Sequence, residues 1–205
     1  MIGVGLDFGT SNSTAAWFDG RVLHYVRLET DGPVLPTAIH LDREFAALTG
    51  QAAIEKYVEE NRGRRVEMVA EVIGEAAGGI GGSEAGEDIT SRLQTQRSLV
   101  YGPLMDRGLP GRLFHGLKRL LGDPNIERLT VFERQFRLVA LLTPILQRMR
   151  TGIVTDTGSP LERIHMGRPV NFEGRGAAGK GSNRTALARL EEACRHAGLP
   201  VTAFY

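Results

Sequence analysis

Cysteine and lysine are both scarce in this sequence. The 205-residue chain has one cysteine, Cys194, and three lysines among its 25 basic residues. A single cysteine excludes a disulfide within the chain and fits a reducing compartment. No apolar run approaches the roughly 18 residues of a membrane-spanning helix. The first apolar stretch is interrupted by Asp7 and has no basic residues before it, unlike a signal peptide. We therefore expect a cytoplasmic protein without a membrane partner.

The net charge is also small, because 25 Lys and Arg residues oppose 24 Asp and Glu residues. A dedicated nucleic-acid binder normally has a basic excess, so we expect no nucleic-acid partner. With 41% hydrophobic and 24% charged residues, the composition is that of a globular protein of one domain or two lobes. Since arginine is the usual cation here, a lysine is a weak indication of a site that needs a compact point charge.

The first part of the chain is predicted to form strands, and the rest to alternate helices with strands. Alternating apolar residues and the hairpin signal Asp19-Gly20 predict strands, whereas apolar residues at helical spacing and Gly or Pro stop signals predict helices. The predicted strands cover 2–6, 14–18, 21–28, 37–41, 161–170 and 201–205. The helix-like apolar patterns cover 52–60, 66–77, 113–121, 133–150 with Pro144 inside, and a segment from Ser182 or Asn183 to Gly198. This order predicts an α/β fold whose mixed sheet has a helical insertion between its halves.

The sharpest motif is Asp7-Phe8-Gly9-Thr10-Ser11-Asn12-Ser13, which lies between two predicted strands. Backbone N–H groups in a tight turn of small residues form a concavity that suits phosphate oxygens, and the hydroxyl groups add donors. Asp7, at the end of the first strand, is a candidate to hold a Mg²⁺ ion through its water shell. The alternative is a polar hairpin turn in which Gly9 only satisfies the backbone angles.

The second motif is Lys118-Arg119-Leu120-Leu121-Gly122. Its lysine is a candidate to reach a terminal phosphate or to orient an attacking water. The alternative is a solvated basic helical turn, which accounts for these residues when they are taken alone.

Two other patterns do not indicate a site. Residues 174–182 imitate a Walker loop, but Gly181 separates Lys180 from Ser182, so we expect a connecting loop there. The five histidines show no metal-ligand spacing, and with a single cysteine we expect no zinc site. Cys194 lies on an apolar helix face, which predicts a core position.

Several segments resemble, in the same order, those of the DnaK-type, seventy-kilodalton heat-shock chaperones of the actin/sugar-kinase/heat-shock ATPase superfamily. Residues 2–13 resemble the first phosphate motif of that family. Residues 35–38, Leu-Pro-Thr-Ala, are similar to its Thr-Pro-Ser segment, and residues 118–122 to its Lys-Arg-Leu-Ile-Gly element. Residues 167–172 resemble a strand end in the form of a divergent bacterial subgroup of chaperone-like proteins, and residues 188–199 resemble a helix that closes in Ala-Gly-Leu. The shared order makes the match more specific than any single motif.

The resemblance implies a role for each residue of the two motifs. Asp7 would help to position the Mg²⁺ ion, and Lys118 would lie beside the γ-phosphate of ATP and assist the hydrolytic water. The β- and γ-phosphates of ATP or ADP would be wrapped by the turn residues Gly9, Thr10, Ser11 and Asn12.

The same resemblance implies the fold. It predicts a ribonuclease-H-like lobe of an actin-type ATPase, with a mixed five-stranded sheet, helices and an inserted helical subdomain. Residues 1–45 together with 133–205 would form the core of the lobe, and residues 46–132 the smaller inserted subdomain.

In this superfamily the nucleotide lies between two lobes, and this sequence has neither the second phosphate loop nor the adenosine-binding loop nor a peptide-binding domain. We therefore expect one wall of the cleft, which alone binds ATP weakly and hydrolyses it negligibly. The complete protein would be a chaperone ATPase with unfolded clients or co-chaperones as partners. A fragment and a complete gene product both stay open. Two alternatives also remain, a lobe of a sugar or metabolite kinase from the same superfamily and a non-catalytic binding module.

Overall fold

The structure, a computed structural model, describes residues 3–78, 96–106, 108–167 and 180–205. Its contacts divide the chain into two compact units, residues 1–62 with 110–205 and residues 63–109. Most of the Walker-like segment 174–182 and of the resembling segment 167–172 lies outside the described residues. The subdomain boundaries at 46 and 132 stay a prediction. In the structure, residues 46–62 and 110–132 belong to the first compact unit.

The described residues contain thirteen strands and three α-helices. The strands are β1 Gly3–Phe8, β2 Asn12–Phe18, β3 Leu23–Tyr25, β4 Leu35–Pro36, β5 Ala38–Asp42, β6 Ala47–Thr49, β7 Met68–Gly78, β8 Gln96–Asp106, β9 Gly111–His115, β10 Arg128–Val131, β11 Arg134–Arg137, β12 Ile164–Gly167 and β13 Val201–Phe204. The helices are α1 Gln51–Asn61, α2 Leu138–Thr157 and α3 Lys180–His196, and a 3-10 turn covers Leu117–Leu120.

The central sheet of the first unit has the order β13-β12-β1-β2-β3, with the two-residue β4 also paired to β2. The pairs β1–β2 and β2–β3 are antiparallel, whereas β12 runs parallel to both β1 and β13. The sheet is therefore mixed, as predicted. Because parallel neighbours need a crossover, the chain inserts α2 before β12 and α3 before β13.

Buried and exposed residues alternate along β1, which shows which face of the sheet meets the core. Val4, Leu6 and Phe8 are buried, while the intervening glycines and Asp7 are exposed, because successive side chains of a strand point to opposite faces. The buried face packs in one cluster with apolar residues of α2 and α3, and these two helices contact each other. The apolar residues of α2 that complete this core are Leu138, Val139, Leu141, Leu142, Ile145, Leu146, Met149 and Ile153.

Two smaller antiparallel pieces complete the first unit. One is the sheet β6-β5-β9, against which α1 packs, and the other is the hairpin β10–β11. The amino end of α1 follows Gly50, which has φ 70, and the Glu29 carboxylate accepts a 3.0 Å hydrogen bond from the Gln51 N–H. A side chain from a distant turn thus replaces a local N-cap.

The described part of the second unit is an antiparallel hairpin of β7 and β8. The prediction of helical structure over 66–77 is therefore wrong. The segment has Val69, Val72, Ile73 and Gly74, which are poor helix formers, and a pairing partner that begins only at Gln96. Apolar spacing alone did not reveal that partner. The glycine-rich stretch after Gly78 lies outside the described residues.

Two other helix predictions need correction. The stripe over 113–121 is divided between β9 and the 3-10 turn, because residues 111–115 pair with β5. The long helix begins at Leu138 and not at 133, because residues 134–137 pair with β10, and it continues through Pro144. The helices predicted over 52–60 and from residue 182 to 198 are present as α1 and α3, although α3 begins at Lys180.

The observed fold class is α/β with a mixed sheet and three helices in the described residues. Within those same residues, no helix is both long enough and apolar enough to cross a bilayer.

Candidate functional site

The turn between β1 and β2 consists of residues 9–11, and Phe8 pairs with Ser13 directly below it. A Cβ atom on Gly9 would clash with the backbone carbonyl oxygen of Asn12. Glycine is thus required at position 9, because the backbone of Asn12 lies too close to leave room for a side chain. This gives a turn with small and hydroxyl-bearing side chains at the end of the sheet, where the sequence predicted it.

A buried hydroxyl pair fixes one side of this turn. Ser13 and Thr37 are each 1% exposed, and their side-chain oxygens lie 2.8 Å apart. The Thr37 N–H donates a 2.8 Å hydrogen bond to the carbonyl of Ser11. The segment around Thr37 therefore supports the turn, which sequence reasoning did not identify.

Lys118 reaches the same end of β1 from 110 residues further along the chain, where its ammonium donates a hydrogen bond to the Phe8 carbonyl. Its side chain is buried, with 7% of the residue exposed. Burial lowers the pKa of Lys118 below its ordinary value, and the negative charge of Asp7 opposes that effect. The structure thus places the predicted lysine beside the predicted turn.

The 3-10 turn that carries Lys118 begins next to the β1–β2 turn. It follows Gly116, which has the left-handed φ of 75 that favours glycine, and a Cβ atom there would lie 3.9 Å from Cγ2 of Thr10. Leu117 and Leu121 are buried in the core on either side of the lysine. The fixed backbone and the two leucine anchors direct the Lys118 side chain inward.

Asp7 lies on the opposite, exposed face of β1, at the carboxyl end of the strand. It pairs with Thr14 on β2 and with Gly167 on the parallel strand β12. Together with His165 and Tyr205, these residues line a shallow cavity of about 300 Å³ on the sheet face. The Asp7 carboxylate is therefore accessible to a ligand that lies over the end of the sheet.

The resemblance implies a magnesium ion, for which Asp7 is the candidate carboxylate. Among the described residues, no group of three or more His, Cys, Asp or Glu side chains could hold a metal ion. One exposed carboxylate beside a turn of hydroxyl groups nevertheless fits a Mg²⁺ ion that keeps its waters and arrives with phosphate, because Mg²⁺ takes few protein carboxylates.

The structure brings the two predicted motifs together at the carboxyl end of β1. Asp7, the turn residues Gly9, Thr10, Ser11 and Asn12, and Lys118 all lie there. Cys194 is separate from them. It is buried in the core as predicted, its Sγ lies 4.0 Å from the Met166 sulfur, and burial raises the pKa of the thiol to about 12.

Arg189 is another residue that sequence reasoning missed. Its guanidinium Nη1 lies 2.9 Å from the Leu121 carbonyl oxygen and 2.8 Å from that of Asp123. These carbonyls follow the turn that carries Lys118. Position 189 has no signal in the sequence beyond being an arginine in a helical pattern, because its partners lie 66 and 68 residues away.

No family model matches the sequence, and comparison with curated proteins gives no match either.

Proposed function

We propose that this chain is the first lobe of a heat-shock-70-like chaperone ATPase and acts in the cytoplasm. In this proposal the β1–β2 turn binds the β- and γ-phosphates of Mg-ATP. Lys118 stabilises the γ-phosphate and assists the attacking water, and Asp7 positions Mg²⁺ through its water shell. Unfolded proteins and co-chaperones are the proposed partners of the complete, two-lobed protein.

The observation that carries the proposal is the meeting of Lys118 with the turn. A lysine from a short motif 110 residues away donates to the Phe8 carbonyl, one residue before Gly9. A solvated basic turn, the alternative for this motif, would leave the lysine in water, whereas here the Lys118 residue is 7% exposed. A buried ammonium beside a turn of N–H and hydroxyl donors is an arrangement suited to a phosphate group.

The fold supports the proposal at a coarser level. The resemblance implies a mixed five-stranded sheet with helices, and the path β13-β12-β1-β2-β3 has five strands, with β4 as a short addition. The two motifs lie at the carboxyl end of β1, next to its parallel neighbour β12. In α/β sheets this is the edge at which ligands commonly bind.

Binding energies indicate that the chain alone is a weak nucleotide binder. Each charge-assisted hydrogen bond contributes about 1.5–3 kcal/mol. Micromolar affinity requires about 8 kcal/mol after the cost of association. One turn and one lysine provide only a few such bonds. We therefore expect weak binding, with a dissociation constant well above the micromolar range, and negligible hydrolysis.

The test is a titration of Mg-ATP into the chain, followed both by calorimetry and by backbone amide NMR shifts. We expect weak binding with shifts concentrated in residues 9–12 and 116–118. The variants Lys118→Ala and Asp7→Asn should lose these shifts. Lys56→Ala is the matched control, since Lys56 lies on α1 and pairs with Glu59 at 3.3 Å.

Three results would count against the proposal. Shifts located elsewhere would contradict the site, and unchanged binding by Lys118→Ala would remove the role of the lysine. Low-micromolar affinity of the chain alone would contradict the view that this lobe supplies only one wall of the cleft.

A further inference from the structure

The turn that carries Lys118 is too short to hold its own shape. Four-residue 3-10 helices have weak hydrogen bonds, and the last carbonyl groups of any helix lack partners within it. The carbonyls at the end of this turn and just after it belong to Leu120, Leu121 and Asp123. The Leu120 carbonyl accepts from the Asp123 N–H at 3.2 Å, and the Asp123 carbonyl accepts from the Ile126 N–H at 3.3 Å. Leu121 is fully buried, so its carbonyl has to be paired with a donor of the protein.

Arg189 of α3 supplies a charged donor to these carbonyls. Its Nη1 contacts the carbonyl oxygens of Leu121 at 2.9 Å, Asp123 at 2.8 Å and Leu120 at 3.5 Å. A guanidinium stays charged in proteins and presents donors in a rigid plane, so one side chain can gather several acceptors. Its positive charge also complements the negative end of the turn.

The backbone of Arg189 is itself well fixed. Ala186, Leu190 and Ala193, which surround it on α3, are buried in the core. The guanidinium therefore transmits the position of a packed helix to the turn. A single hydrogen bond connects Leu121 to the lysine, because the Leu121 N–H donates to the carbonyl of Lys118 at 3.2 Å.

We propose that Arg189 is the positioning residue for Lys118: through the carbonyls of Leu121 and Asp123 it fixes the turn so that the lysine ammonium stays at the end of β1. The use of that ammonium for phosphate rests on the proposed function, but the positioning itself does not. Without Arg189, the Leu121 and Asp123 carbonyls lose the side chain that ties them to α3, and the ammonium moves away from Phe8 toward water.

The chain offers a direct probe, since it has only three lysines. A small amine-acetylating reagent is applied to the folded protein, and the rate at each lysine is measured by mass spectrometry. Lys56, whose side chain is 42% exposed, serves as the internal reference. In the parent protein Lys118 should react much more slowly than Lys56.

In Arg189→Ala we expect the Lys118 rate to rise by about tenfold or more, as loss of one or two charge-assisted hydrogen bonds implies. Arg189→Lys should restore slow labelling in part, because an ammonium can still donate to these carbonyls. Arg137→Ala is the matched control: it removes the 2.8 and 2.9 Å bonds to Glu192 on the same helix without touching the turn. It should leave the Lys118 rate unchanged.

An unchanged Lys118 rate in Arg189→Ala overturns the inference, and so does an equal rise in Arg137→Ala, which would indicate general loosening of α3. If Arg189→Ala does not fold, Arg189→Lys decides: a rate between that of the parent and that of Lys56 supports the inference, and a parent-like rate overturns it. The reagent contains no nucleotide. A failure of Mg-ATP to shift residues 9–12 would therefore refute the proposed function and leave this inference standing.

Discussion

The charged ammonium of Lys118 is buried at a position where it contributes little to the stability of the fold. Its ammonium has the Phe8 carbonyl as partner, and burial lowers its pKa despite the opposing charge of Asp7. The folded state therefore disfavours the charge relative to water. A residue that opposes stability at its own position is typical of a functional site and not of a packing role.

Lys118→Met should therefore not destabilise the fold strongly. Methionine keeps the apolar stem and removes the buried charge, while the Phe8 carbonyl loses a donor. We expect the free energy of unfolding at pH 7 to stay within about 1 kcal/mol of the parent or to rise, because the gain from removing a desolvated charge offsets the lost hydrogen bond. Urea denaturation measures this.

The pH dependence of the same comparison has a definite sign. The folded-state pKa of Lys118 lies below the ordinary 10.5, so between the two values the unfolded chain binds more protons and the parent gains stability as pH rises. Any excess in the free energy of unfolding of Lys118→Met over the parent should therefore shrink as the pH rises toward 10.5. A loss of more than about 2 kcal/mol at pH 7 would instead mark Lys118 as structural.

Gly9 gives a second prediction at the scale of one residue. In Gly9→Ala the new methyl group clashes with the Asn12 carbonyl, which is backbone and cannot move without opening the turn. We expect a loss of about 2 kcal/mol or more in urea denaturation. Gly5→Ala, on β1, where the nearest atom lies 4.0 Å from the added Cβ, is the control and should stay close to the parent. Equal effects of the two substitutions would contradict the close approach of the Asn12 carbonyl as the reason for glycine at position 9.

Individual elements differ in how far the sequence predicted them. The β1–β2 hairpin, α1 and the strand β13 follow from local alternation, helical spacing and turn residues, which act over a few positions. The strand β7 and the division of 113–121 depend on partners far away, at β8 and β5. Local patterns cannot encode such pairing, and there the helical interpretation was wrong.

The site shows the same division. The Asp7-to-Ser13 turn and Lys118 were recognised from their own motifs, because each motif is contiguous. Their supports were not, since Thr37 and Arg189 act across 24 residues and more than 60 residues respectively. A hydroxyl or an arginine has the same appearance in sequence whether it faces water or holds a distant turn.

The hydroxyl pair of Ser13 and Thr37 makes a testable connection between β2 and the segment before β5. Either hydroxyl can be the donor in this 2.8 Å contact, and both are buried. We expect Ser13→Ala and Thr37→Val each to lower stability by about 1–2 kcal/mol, because each leaves a buried hydroxyl without its partner. The double variant should cost clearly less than the sum of the two. Additive effects in the double-mutant cycle would show that the pair is not coupled.

For the whole molecule, the site depends on the first compact unit. Each described residue of the core cluster lies in residues 1–62 or 110–205, as do the β1–β2 turn, Lys118 and Arg189. A unit with its own hydrophobic core is expected to fold by itself. We therefore expect the hairpin of β7 and β8 to be dispensable for the arrangement of the candidate site.

This leads to a prediction about excision. Replacing residues 63–109 by a Gly-Ser linker of roughly ten residues should leave a folded protein, because flexible linkers of this composition impose no geometry. Lys118 in this variant should still react slowly with the acetylating reagent, and thermal unfolding should remain cooperative. Removal of the wider range 46–132 is the control. It takes Leu117, Leu121 and Val131 from the core, so that variant should not fold. Loss of cooperative unfolding in the shorter excision would show instead that the hairpin stabilises the unit that carries the site.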